Sequence, residues 1–405
     1  MANIGILKDV LSVMVPNPYR YSDDAPSIVV SGAGIGGLTA ALIFSKLGYR
    51  VSILESAKAF EPLGAGLCLN PRAVSILEEL GLRGFLASRG VVLKEVHARS
   101  LPGDDDFQHL RGPIAQSQSG SLLVHRGLLH QALYDAVRSR LGNRSISTGT
   151  RVLDVEANGD QLSITASDRT QNDREITVNA GLLIAADGIH SKIRRAVSGH
   201  HVPPHPAEFI IWRGLIEMEP PFGAQSLATI GDQSKSFTLY PISRVDQKTG
   251  HALFTWIAKA PAGKPYDIEG HLWQCSGDRA TARQAFSNWS IDGWDIQQTI
   301  SSTETILEHR IFQADAPATW ANGRVALIGD AAHPQTASRW SGASQAIIDA
   351  TLLGAAVAEN GPTEAAFAEY GQWRETDEIL KSDEFDAGLV PPKPKHRSAP
   401  PTQFA

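Results

Sequence analysis

The chain has 405 residues, 42% hydrophobic and 20% charged, which allows a sizeable core and argues against wholesale disorder. Its formal net charge is −6, and Arg194–Arg195 is the densest basic pair outside the tail, so it lacks the electrostatic footprint of a nucleic-acid binder. With only two cysteines, Cys68 and Cys275, a disulfide framework or a multi-cysteine zinc site is not expected. Each cysteine reads as a small buried hydrophobe, compatible with a reducing cytosol.

Residues 1–26 read as an N-terminal extension. Lys8 and Asp9 interrupt them, and the apolar stretch 10–15 is too short for the core of a secretory signal. From Ser27 the pattern sharpens into a βαβ unit. A β-branched run at 28–31 leads into a glycine loop at 32–37, then a helix over 38–47 ended by Gly48, then a strand over 50–54 that stops at Glu55. A second helix is expected over 71–80, closed by Gly81. Segments 91–101 and 121–124 read as extended. Residues 127–141 form an amphipathic helix with Leu128, Leu129, Ala132, Leu133 and Val137 at helical spacing. Short β-like runs at 152–155, 162–166, 176–178 and 182–185, separated by polar clusters, predict a small meander feeding a strand of the main sheet.

Block 206–304 differs in character. It holds five of the eight tryptophans, and runs at 208–216, 236–240 and 252–257 read as strands of a mixed sheet whose aromatic residues suit a core or a ligand pocket equally. The first pattern then returns, with a buried strand at 325–328, a helix from about Gly342 and another over 365–380. No stretch of eighteen apolar residues occurs; 343–358 comes closest, and Ser344, Gln345 and Asp349 mark it as a buried globular helix, so a soluble, cytoplasmic protein is expected. The tail 388–405, rich in proline and polar residues, is expected to be disordered.

Three motifs carry chemistry. Glycines 32, 34 and 37 make a GxGxxG between a strand and a helix, which allows a tight turn and close backbone approach to a pyrophosphate. Glu55 at the end of the next strand stands where an acid bonds the adenosine ribose hydroxyls. Asp187-Gly188 and Gly329-Asp330 each put a carboxylate at the end of a β-rich run, where it can take hydroxyl donors from a cofactor. Taken singly, an Asp-Gly pair is an ordinary turn.

In this order and spacing the motifs resemble the group A flavoprotein monooxygenases, the family of para-hydroxybenzoate and salicylate hydroxylases, over roughly residues 27–382. Further matches are Gly64-Ala65-Gly66 after Pro62-Leu63, His125-Arg126-Gly127, Trp212-Arg213-Gly214, Tyr240-Pro241-Ile242-Ser243 and the stretch from Gly342 to Ile347. Within the family the likeness is to the 5-methylphenazine-1-carboxylate monooxygenase type. The resemblance implies an α/β fold: a Rossmann-like FAD-binding domain of the glutathione-reductase type (27–205 and 305–385) with an inserted mixed β-sheet substrate domain (206–304). It also implies FAD held by Gly32, Gly34, Ile35, Gly36, Gly37, Glu55, Ser56, Gly66, Arg126, Asp187, Gly188, Gly329, Asp330, Pro334, Gly342 and Ala343. NAD(P)H would bind transiently as reductant, and oxygen would reach a small aromatic substrate through a flavin hydroperoxide.

Candidate substrate contacts are Trp212, Arg213, Tyr240, Arg339 and Trp340. Arg126 and Arg213 also suit ordinary strand-end salt bridges, and His333, His190, His97, His125 and His251 read as scaffold. No metal site is expected. The loop 335–341 departs from the family, with Ala337 in a usual proline place and Arg339-Trp340 adding bulk. Arg339 could pair with an anion and Trp340 stack on a ring, or the loop could be solvent-facing drift. The same scaffold also serves epoxidation, ring expansion or decarboxylative hydroxylation, and a flavin-binding module without turnover is a further alternative.

Overall fold

A computed structural model describes residues 27–60, 64–99, 109–113, 120–199, 205–232, 234–262, 274–291, 293–313, 319–334 and 342–375. The expected N-terminal extension, the tail and the loop 335–341 lie outside these residues.

The βαβ unit forms as its pattern dictates. Strand Ser27–Ser31 pairs in parallel with Arg50–Glu55, and the helix Ile35–Lys46 between them is buried from Ile35 to Phe44. A helix apolar all round belongs inside, and this one packs against the sheet and against the long helix Gly342–Asn360. The main sheet has six strands, in the order Ala321–Asn322, Val325–Leu327, Leu182–Ala185, Ser27–Ser31, Arg50–Glu55, Ile146–Thr148. Its centre is parallel: Ile28 pairs with Leu182, and Ala185 with Leu327. The parallel register brings the C-terminal ends of strands 27–31, 182–185 and 325–327 side by side, and each of the three motifs follows one of those ends.

Between them the chain makes the expected meander, Thr150–Asn158, Gln161–Asp168 and Arg174–Ala180, antiparallel throughout. A second large sheet has eight strands, in the order Gln274–Ser276, Ile306–Gln313, His205–Met218, Ala252–Pro261, Ser236–Pro241, Ser226–Gly231, Glu95–Arg99, His109–Pro113. It is antiparallel except where Ser226–Gly231 runs parallel to Glu95–Arg99. It therefore recruits strands from residues 95–99, 109–113 and 306–313 as well as from the tryptophan-rich block.

Alternation gives this sheet two faces. One buries Trp212, Phe237, Leu239, Phe254 and Trp256 beneath two short helices, Arg279–Ala285 and Ile296–Ser302. The other carries Leu227, Tyr240 and Ile242 and packs on Cys68 and Leu123 of a small three-stranded sheet beside the cofactor domain.

The segment after Pro71 differs from its expected form. The α-helix stops at Leu77, a wider turn over Glu78–Leu82 passes through Gly81 at φ +86°, and a further helix, Arg83–Arg89, follows. Gly81 redirects the chain without ending its helical run. The positive φ was legible as a stop, but the renewed helix was hidden because its seven residues bury only Leu86.

Candidate active site

The glycine loop is built by exclusion. A Cβ on Gly37 would fall 2.0 Å from the carbonyl oxygen of Gly32, and one on Gly32, at φ +100°, would fall 2.4 Å from that of Ala186. Only glycine lets the loop, the helix start and the Asp187 segment approach so closely. Gly34 differs. A Cβ there would meet no atom within 4 Å, so the backbone at the helix start borders open space. That open cradle at a helix N-terminus, flanked by Arg126, fits a pyrophosphate.

Two side chains pin the peptide groups of Ala33. Glu55 accepts its N–H at 2.6 Å, while its other oxygen takes the Ser56 hydroxyl at 3.2 Å and the Ala57 N–H at 2.7 Å. His130 lies 2.6 Å from the Ala33 carbonyl through Nε2. Because a carbonyl only accepts, Nε2 carries the proton and donates. His130 is one helical turn after Arg126 on the helix Arg126–Leu141, so the two share a face. Phe60 packs on the His130 ring with 4.4 Å between centroids and stacks on Tyr134, one turn further, at 4.0 Å.

Burial pulls the Arg126 guanidinium below its ordinary value, and Asp330 opposes that fall. Gly64 must be glycine for the same chain crossing, since its Cβ would stand 2.8 Å from the Arg126 Cβ.

Asp187 accepts the Lys192 N–H at 3.0 Å, and its Oδ1 is buried with no hydrogen-bond partner among the described residues. Burial pushes this carboxyl up, against hydrogen bonds from Ser191 and Lys192 that hold it down. An acceptor left vacant beside the glycine loop fits a cofactor hydroxyl. Asp330 keeps solvent exposure, and its charged neighbours include His333, Arg126 and Arg194. Arg194 is buried and clamps the two acidic motifs together: it donates to the carbonyls of Ile189 at 3.0 Å, Asp330 at 2.7 Å and Ala331 at 2.8 Å.

Beneath lies a polar core. Asp349 accepts the Gly329 N–H at 2.7 Å and contacts His333 Nε2 at 2.6 Å and Arg374 at 2.7 Å. Its carboxyl is held low despite burial because Arg374 and His333 face it. Pro334 is buried after this loop, and Gly342 and Ala343 open the helix Gly342–Asn360, where a Gly342 Cβ would again meet nothing within 4 Å.

The expected substrate contacts separate. Trp212 is 2% exposed, packs in the aromatic core on the far face and donates to Glu308 at 3.2 Å. Strand alternation sends its neighbour Arg213 to the opposite face, where Arg126 and Tyr240 are its electrostatic neighbours. The Arg213 guanidinium is pulled down by burial, and its Nε has no hydrogen-bond partner among the described residues. Tyr240 is fully buried, and burial pushes its phenol up. Its ring edge, with Thr255 and Ile242, lies where a Gly66 Cβ would fall, so Gly66 serves contact with the second sheet. Arg339 and Trp340 lie outside the described residues.

Sequence reasoning passed over His130, Arg194, Asp349 and Arg374 as site-forming residues. The i, i+4 spacing of Arg126 and His130 was a readable signal. The pairing of Asp349 with Arg374 depends on two helices meeting and left none.

The model of an FAD binding domain family matches residues 25–367. The chain is 33% identical over 345 residues to the phenazine 1,6-dicarboxylic acid hydroxylase of Lysobacter antibioticus, covering 85% of each. It is 29% identical over 364 residues to the 3-amino-4-hydroxybenzoate 2-monooxygenase of Streptomyces cremeus, covering 86% of this chain and 82% of the relative. Its fold is similar to that of Klebsiella pneumoniae HpxO solved with FAD and uric acid, at a TM-score of 0.71 and 26% identity over 90% of this chain and 88% of that one. With the glycine loop and both acidic motifs following neighbouring parallel strands, and with these relatives, the chain belongs to the FAD-binding family of group A aromatic monooxygenases.

Proposed function

We propose that the protein hydroxylates a small aromatic or heteroaromatic ring lying between the FAD cradle and the cradle-facing side of the eight-stranded sheet, with NAD(P)H and oxygen as co-substrates. One observation carries this reading. Gly64 lies against Arg126 of the cradle, where its Cβ would fall 2.8 Å from that of Arg126, and Gly66, two residues on, lies against Tyr240, Thr255 and Ile242 on the Arg213 face of the sheet, so a ring held on that face would abut the cofactor. Bound FAD supplies electron transfer from NAD(P)H and delivery of one oxygen atom of O2. The balance is ring C–H, O2, NAD(P)H and a proton giving ring C–OH, NAD(P)+ and water.

The chain's own residues bind, orient and exclude water. In this reading Gly32, Gly34, Gly37, Glu55, Arg126, Asp187 and Asp330 hold FAD, with His130 and Arg194 keeping the loops in place. Arg213 meets the substrate, and Tyr240, on the same face, packs against Gly66.

The test is NAD(P)H oxidation by the FAD-loaded protein across a panel of ring compounds under labelled oxygen, with product mass as the readout. Ring-stimulated oxidation with one labelled oxygen in the product is expected, and Arg213→Gln should raise the Michaelis constant about tenfold or more. FAD bound tightly with no stimulation by any ring compound would favour a binding module without turnover.

A further inference from the structure

Ala33 and Gly34 share one peptide group at the start of the helix Ile35–Lys46, and that peptide is trans. A trans peptide points its C=O and its N–H in opposite directions, so whatever holds the Ala33 carbonyl also aims the Gly34 N–H. His130 holds that carbonyl at 2.6 Å through Nε2. The preceding peptide is fixed separately by Glu55, which accepts the Ala33 N–H at 2.6 Å. The Gly34 N–H meets no acceptor among the described residues, and a Cβ on Gly34 would meet no atom within 4 Å. The donor that His130 aims therefore stands at the open cradle.

The other ring nitrogen is left over. Because Nε2 carries the proton, Nδ1 is a bare acceptor, buried and with no partner among the described residues, and Phe60 covers the ring at 4.4 Å between centroids. The titratable groups around the ring are Arg126, one turn earlier on the same helix, and Glu55, at the end of its strand. Tyr134, one turn later, stacks on Phe60, and Asp330 in turn faces Arg126. Among these groups burial holds the imidazole below its ordinary value; the Ala33 bond and Glu55 oppose that fall, and Arg126 adds to it. A pyrophosphate in the cradle brings negative charge to this set, offsets the repulsion from Arg126 and favours a proton on Nδ1. The charged ring would also donate a stronger bond to Ala33.

We infer that His130 is a proton-linked positioning residue for the cofactor: it aims the Gly34 N–H at the FAD pyrophosphate and takes up a proton from the buffer as the pyrophosphate binds. The protonated form then binds FAD more tightly. Affinity rises as pH falls through the value His130 has in the complex, and levels off below its depressed value in the free protein. The inference rests on FAD occupying the cradle and is independent of which ring is hydroxylated.

The test is calorimetric titration of the full chain, freed of flavin, with FAD between pH 8 and pH 6, in two buffers of different ionisation enthalpy, neither of them phosphate. The buffer dependence of the heat counts the protons taken up. The wild type should take up protons between about pH 6 and pH 7 and bind FAD about three- to tenfold more tightly at pH 6 than at pH 8. His130→Gln, whose amide nitrogen can still donate to Ala33 but carries no charge, should keep most of the affinity at pH 8. It should lose the share of the uptake that belongs to His130. His130→Leu, which cannot donate, should bind FAD about tenfold or more weakly at pH 8. Uptake at other groups, His125 among them, persists in all three proteins and cancels in the comparison.

Equal proton uptake by the wild type and His130→Gln overturns the inference, as does equal affinity of the wild type and His130→Leu at pH 8. Equal losses of affinity in the two variants would assign His130 to packing alone and also overturn it. A wild type that binds no FAD overturns the assignment of the cradle itself, an outcome distinct from every comparison among the variants.

Discussion

His130 shows how one side chain joins the cofactor loop to the pH of the medium. Burial lowers its pKa from 6.5; the Ala33 carbonyl and Glu55 pull upward, and Arg126 pushes further down. The folded protein therefore binds fewer protons at this site than the unfolded chain. Its stability is complete above pH 6.5 and is lost as pH falls through the depressed folded value. Protonation would place a charged ring beside Arg126, with the new N–H at Nδ1, which is buried and has no partner among the described residues. Denaturant midpoints measured from pH 8 to pH 5 should fall on the acid side, and His130→Gln should flatten part of that fall. His125, whose pKa burial also lowers, contributes in the same direction. The sequence showed His130 only as a helix residue, because the bond to Ala33 spans ninety-seven positions and closes only when the helix docks. Arg213 was legible as a candidate, whereas its neighbour Trp212 was misassigned: adjacent strand residues face opposite ways, and only the register says which of two faces meets the cofactor.

At the scale of the element, the glycine loop separates folding from binding. Gly37→Ala would push a methyl group to 2.0 Å from a backbone carbonyl, a contact that the loop and its helix can relieve only by moving apart. Gly34→Ala adds its methyl group to open space at φ −72°, where any residue is comfortable. Gly37→Ala should lower the thermal midpoint of the protein without cofactor by many degrees. Gly34→Ala should leave that midpoint within a degree or two while FAD affinity falls at least tenfold, as read by flavin fluorescence. Equal loss of stability in both variants would contradict the division. The motif spacing made the loop readable in advance, since strand, turn and helix follow one another without long-range help. The helix Arg83–Arg89 lacked that advantage: it buries one side chain and carries too little apolar periodicity to be seen.

At the scale of the whole molecule, Asp349 ties the last third of the chain into one unit. Its carboxylate meets the Gly329 loop, His333 and Arg374, and Arg374 in turn donates to Gln345 at 3.0 Å. Asp349→Ala would leave a buried guanidinium without its counter-charge, and a loss of about 3–5 kcal/mol is expected in equilibrium unfolding. FAD should then restore part of the lost midpoint as its concentration rises. The overall architecture was legible because the same sheet pattern opens and closes the sequence; the recruitment of strands 95–99 and 306–313 into the second sheet was not, since pairing partners are chosen by tertiary packing. The parallel sheet at the centre also has a consequence for biosynthesis. Leu183 finds its neighbour Val325 only after the whole intervening sheet has left the ribosome. Until then the strand Leu182–Ala185 has an open edge and a wholly apolar sequence, the kind of segment that chaperones hold and that aggregates when they are scarce. Yield of the intact protein should therefore depend on chaperone supply during synthesis more steeply than its stability, once folded, would suggest.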